Sequence, residues 1–81
     1  MGQLQEGFNR FMVLSHPTVM RGTQQWATME LVWHSSALVT TKVLIERGND
    51  EEVAMDLMQE SVDYCKTSIK IMRARQVNDF N

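Results

Sequence analysis

The sequence predicts an all-α fold, a short N-terminal helix followed by a long antiparallel helical hairpin, and three observations carry that reading. Apolar residues recur at helical spacing along nearly the whole chain. The run Arg47-Gly48-Asn49-Asp50-Glu51-Glu52 sits between the two longest periodic segments and leaves room only for a tight turn. A single proline and seven methionines in 81 residues describe a helical chain with an adaptable interior, not a β protein rich in turns.

The elements follow in order. Leu4, Phe8, Phe11, Met12 and Ser15 keep the i, i+4, i+7, i+8 spacing of an amphipathic helix over about residues 3–15, with Gln5, Glu6, Asn9 and Arg10 turned outward. It stops before His16-Pro17, because proline biases the residue before it to extended geometry. Pro17 suits the first turn of the next helix, so the second helix is expected over about 17–47, with Gly22 inside it at a cost of about 1 kcal/mol. A stricter reading starts it at Thr23 as N-cap. Gly48 ends it in the left-handed conformation. Asn49 or Asp50 then caps a third helix over about 50–76, whose first turn carries Glu51 and Glu52 at the positive end of the dipole. Residues 77–81 are expected to fray, with Phe80 dangling or docking on a neighbour. The chain reads as a single domain over 1–81.

The third helix repeats Met55, Met58, Val62, Cys65, Ile69 and Met72 at alternating spacings of three and four, the pattern of a coiled-coil seam. Val53, Leu57, Tyr64 and Ile71 widen that stripe. The solvent face is read as Glu52, Asp56, Gln59, Glu60, Asp63, Lys66, Thr67, Lys70 and Arg73.

The second helix is apolar around most of its circumference. Projected at 100° per residue, Trp26, Met29, Trp33, Ala37 and Leu44 share one face, Ala27, Leu31, His34, Leu38 and Ile45 the next, and Val32, Val39 and Val43 a third. A helix of this kind needs cover on several sides, and so short a chain has little to supply it. The expectation is a homodimer in which the second and third helices of two copies form a four-helix-type bundle.

Composition narrows the function classes. One cysteine excludes an intramolecular disulfide and a cysteine-based zinc cluster, and fits a reducing, cytoplasmic setting. A net charge of −2 does not favour nucleic acid or an anionic membrane. No segment reads as a signal peptide, and the run from Leu31 to Thr41 is too short to span a bilayer. No cofactor is implied, since Gly2, Gly7, Gly22 and Gly48 match no phosphate-binding pattern.

Candidate chemistry is sparse. Glu30 and His34, four apart on one helix face, together with Trp33, outline a ligand or metal site, but they lack the i, i+3 spacing and second histidine of di-iron bundles. A histidine held in a helical interface is the plainer role. Cys65, on the apolar seam with no base beside it, reads as a small hydrophobe. Lys66, Lys70 and Arg73 form a basic stripe that a nucleic-acid-binding helical dimer would use, although without interleaved exposed aromatic residues. The reading preferred on sequence is a non-enzymatic protein-interaction module, an adaptor, inhibitor or chaperone-like factor of the compact type common among viral and mobile-element accessory proteins. Its candidate contact residues are Phe8, Phe11, Met12, Trp26, Trp33, His34 and Leu38.

Overall fold

The computed structural model describes residues 2–80, the side chains of 77–80 excepted. It contains three helices, α1 (Gln3–Ser15), α2 (Gln24–Glu46) and α3 (Glu51–Phe80), and no strand among the described residues. α2 and α3 pack along each other as the antiparallel hairpin, and α1 touches both.

The hairpin turn is built by the backbone. Gly48 takes a left-handed φ of 72°, its N–H donates to the Ile45 carbonyl at 3.0 Å, and the Asn49 N–H donates to the Leu44 carbonyl at 3.0 Å. These two bonds are the Schellman arrangement, which satisfies carbonyls that the end of α2 leaves open. Asp50, also left-handed at φ 45°, starts α3 through its carbonyl, which accepts from the Ala54 N–H at 2.8 Å. Aspartate tolerates this region better than most residues. The side-chain cap expected from Asn49 or Asp50 is thus replaced by backbone geometry.

The start of α2 corrects the expectation of a helix from Pro17. Gly22 has a φ of 83°, incompatible with a helix interior. Thr23 is the N-cap: its hydroxyl oxygen accepts from the Trp26 N–H at 3.2 Å and its O–H donates to the Met20 carbonyl at 2.7 Å. Residues 16–23 form a turn-rich connection instead. At the other end α3 stays helical to Phe80 where fraying was expected; the placement of the Phe80 side chain and Asn81 lie outside the described residues.

The seam between α2 and α3 differs from the expected one. The buried residues there are His34 and Thr41 from α2 and Ala54 and Ser61 from α3, each pair seven apart and therefore on one side of its helix. The Thr41 hydroxyl donates to the Leu38 carbonyl at 3.1 Å and the Ser61 hydroxyl to the Leu57 carbonyl at 3.0 Å, so each is satisfied within its own helix. Small side chains let two backbones approach closely. Met55, Ile69 and Met72, expected in this contact, are 59%, 45% and 47% exposed, and Val53 and Ile71 are exposed as well. The contact is turned by about one residue from the apolar stripe. Met58, Val62 and Cys65 sit half-buried at its edge.

α1 covers one face of the hairpin. Phe8 and Met12 are fully buried, Phe8 meets Trp26 and Trp33 edge-on with centroids 5.2 and 5.8 Å apart, and Phe11 tilts over Trp33 at 5.4 Å. From the connection, His16 packs on Phe11 and the Arg21 guanidinium sits 5.6 Å above the Trp26 ring.

The result is thin and open, 47 × 31 × 18 Å with a radius of gyration of 14.6 Å, where about 12 Å is usual for this length. Its accessible surface is 6331 Å² for 9.4 kDa, against roughly 5000 Å² for a typical folded monomer. No described helix is long and apolar enough to cross a membrane.

Because Ser61 is fully buried in the hairpin, enlarging it should be costly. Ser61→Leu is expected to lose about 2–3 kcal/mol by overpacking, while Ser61→Ala stays within about 1 kcal/mol. Chemical denaturation of the two variants checks this, and equal stability of both would refute a tight seam.

Candidate functional site

Two features of the hairpin face under α1 stand out, a polar network and an apolar groove. The network begins at the N-terminus of α1, whose first N–H groups have no partner within their own helix. Glu60 of α3 supplies one: its carboxylate accepts from the Leu4 N–H at 3.2 Å and from the Gln5 N–H at 2.9 Å. A negative charge at a positive helix end adds dipole stabilisation to the two bonds. Gly2 permits the approach, since a methyl group there would fall onto the Glu60 carboxyl group. Glu60, expected on the solvent face, is therefore a cap delivered from another helix.

Gln5 is the hub, although its position suggested an outward residue. Its amide nitrogen donates to Glu30 Oε2 at 2.7 Å and to Asn9 Oδ1 at 3.1 Å. That fixes the amide orientation and leaves Gln5 Oε1 as acceptor, 2.9 Å from His34 Nε2. His34 must then carry its proton on Nε2. The second oxygen of Glu30 accepts from the Tyr64 hydroxyl at 2.7 Å, and the Tyr64 ring stacks on His34 with centroids 4.0 Å apart and planes 11° from parallel. The other imidazole nitrogen, Nδ1, is buried and has no hydrogen-bond partner, alone among the described buried side-chain polar atoms.

The electrostatics follow from this packing. Burial lowers the pKa of His34, with the Glu60 and Glu30 carboxylates pulling weakly the other way. Burial, then the bond to Glu30, pushes Tyr64 up to about 12. Glu30 and His34 are brought together as expected, but as members of a hydrogen-bonded cluster: both Glu30 oxygens and His34 Nε2 are already engaged. Among the described residues no group of three or more metal-ligating side chains forms.

Trp33 lies between α1 and the groove. Its indole N–H donates to the Leu4 carbonyl at 3.1 Å, tying α1 to α2. Beside it runs an open apolar groove of about 600 Å³, floored by Met29, Ala37 and Leu44, walled by Phe11 and Leu57, with Ser36 and Thr40 at its lip. A second cleft of about 810 Å³ opens between the hairpin arms near Trp26, Glu30, Tyr64 and Arg75.

The remaining candidates disperse. Phe8, Met12 and His34 are buried in the chain's own interior, which corrects their reading as surface contacts. Trp26, Trp33 and Leu38 are half-buried, and Phe11 is 36% exposed. Lys66, Lys70 and Arg73 are exposed on the second half of α3. The network residues Gln5, Glu60 and Tyr64 escaped the sequence reading; only the spacing of Tyr64, four after Glu60 and therefore on a shared face, hinted at them. The chain matches no family model, no curated protein and no solved structure.

Two tests follow. Glu60→Ala should cost about 1–2 kcal/mol by uncapping α1. Gly2→Ala should cost a similar amount by displacing the same carboxylate, so the double variant should lose little more than either single one. Additive losses in denaturation would show that Gly2 and Glu60 act separately.

The second test is pH. His34 titrates lower in the folded chain than in the unfolded one, so its contribution is fully present above about pH 6.5 and is lost as pH falls through the folded value. Denaturation midpoints should decline on acidification below that point, and His34→Gln should flatten the decline that begins there. An identical slope in parent and variant would remove His34 as the cause.

Proposed function

We propose that the chain is a small non-enzymatic protein-interaction module, an adaptor, inhibitor or chaperone-like factor, that seats an amphipathic helix of another protein in the groove along α2. The observation that carries this reading is the apolar surface the chain leaves open: the groove, and beside it Val32, Val39 and Val43, which are 59%, 65% and 38% exposed. Open apolar patches of this size on small proteins mark contact sites. The shape argues for a helix as occupant. From Met29 to Leu44 the floor runs along one face of α2 for about 22 Å, four helical turns. Ala37 leaves its middle open, and the short side chains of Ser36 and Thr40 at the lip let a second backbone approach. No charged side chain lines it, so the partner's matching face is apolar over the same length.

A second reading rests on the exposed Lys66, Lys70 and Arg73, which a nucleic-acid backbone would contact. The two separate cleanly. Val32 and Thr40 are exposed, so Val32→Asp and Thr40→Glu should leave the fold intact and lower affinity for a captured partner at least tenfold, measured by titration with the purified partner. Changing Lys66, Lys70 and Arg73 to glutamate should leave that affinity nearly unchanged. Tight RNA or DNA binding by the parent, lost in the charge-reversed variant and steeply dependent on salt, would overturn the module reading in favour of the second.

A further inference from the structure

The apolar stripe of α3 meets α2 only along its edge. Met55, Met58, Val62, Cys65, Ile69 and Met72 keep alternating spacings of three and four over more than four turns of α3. Projected at 100° per residue from Ser61, which faces α2, Met55, Met58, Val62 and Ile69 lie on the side of α3 away from Glu60 and Tyr64, the residues that meet α1 and His34, while Met72 at the end of the stripe turns toward the cleft that Tyr64 also lines. Leu31 and Leu38 of α2 border it on the same broad face of the hairpin. Among the described residues no element covers this face, and three of its six stripe residues are exposed.

We propose that it is the self-association surface, on which α3 of a second copy lies antiparallel to α3 of the first, with the two-fold axis beside Asp63 and Tyr64. Three observations select a second copy over any other occupant. The stripe is symmetric about that point: reversed, it places Met55 opposite Met72 of the second copy, Met58 opposite Ile69 and Val62 opposite Cys65, a large side chain beside a smaller one only at the axis. The charge on α3 is symmetric in the opposite sense. Its first half carries Glu51, Glu52, Asp56, Glu60 and Asp63, and its second half Lys66, Lys70, Arg73 and Arg75. Glu60 caps α1, and Asp56 projects away from the stripe, but Glu52 lies on its flank, where antiparallel pairing sets it beside Arg73 of the second copy and parallel pairing sets it beside another Glu52. Asp63 would lie near its own copy, but it projects away from the stripe and is engaged by the Gln59 amide at 2.9 Å. The third observation is area. The chain exposes roughly 1300 Å² more than a typical monomer of its mass, and a stable interface removes about 800 Å² from each partner. The arrangement yields a four-helix core of two hairpins, back to back, with α1 and the groove of each copy facing outward.

Sedimentation equilibrium of the full chain should show a dimer at micromolar concentration. Ile69 is exposed in the single chain, so Ile69→Asp should give a monomer with unchanged helical circular dichroism. Glu52→Arg and Arg73→Glu should each weaken the dimer roughly tenfold, since each change acts twice by symmetry, and the double variant should recover the parent affinity. Val62→Cys should form a covalent dimer with the native Cys65 on mild oxidation, which Cys65 alone should not. A monomeric parent, a dimer indifferent to Ile69→Asp, or efficient Cys65 cross-linking in the parent would each overturn the proposal. Because the groove lies on the other side of the hairpin, Ile69→Asp should also leave partner binding in the groove intact, so this surface and the functional reading fail independently.

Discussion

Two helices that meet through Ala54, Ser61, Thr41 and His34 come close together, and everything large must then go elsewhere. That constraint organises the molecule. With the hairpin seam given to small and polar residues, the tryptophans of α2 turn to one broad face and the methionine stripe of α3 to the other. α1 covers part of the first face, where Phe8 packs on Trp26 and Trp33 and, like Met12, is fully buried. It covers only one half, and the uncovered half is the groove.

The attachment of α1 is correspondingly divided between apolar and polar contacts. Phe8 and Met12 supply the burial, while orientation comes from directed bonds: Glu60 to the first N–H groups, Trp33 to the Leu4 carbonyl, and Gln5 to Glu30 and His34. Polar bonds of this kind add little net stability each but are expensive to break one-sidedly. They therefore fix one docking geometry more strongly than they stabilise the docked state. The unpartnered Nδ1 of His34 is the cost of that arrangement, since the amide orientation set by Glu30 places the imidazole proton on Nε2.

Much of the backbone was legible in the sequence. The Gly48 turn, the extent of α1 and the hairpin follow from local rules about caps, proline and periodicity. The seam was not, because a hydrophobic pattern ranks Met, Val and Ile above Ala and Ser, whereas close helix packing selects for smallness. The signal was present in another form: Ala54 and Ser61 stand seven apart, as do His34 and Thr41. Pro17 misled in a different way. It is compatible with a helix start, but Gly22 in a left-handed conformation and the Thr23 hydroxyl decide the matter five residues later. Glu60 and Gln5 were unreadable for a simpler reason, because their partners are more than twenty residues away in the chain and carry no pattern of their own.

The Schellman turn at Gly48 also sets an order of assembly. Contacts nearest the turn close the shortest loops, so the hairpin can zip from Gly48 toward its open end with little entropy lost at each step. The bonds from Glu60 to Leu4 and Gln5 join groups 56 and 55 residues apart, and their acceptor reaches its position only when α3 is already formed beside α2. Completion of α1 docking by the Glu60 cap thus waits on the hairpin. A chain caught before that event already has its turn, its seam and its methionine stripe, but exposes Trp26 and Trp33 together, so indole fluorescence reports on α1 while helical circular dichroism reports on the hairpin.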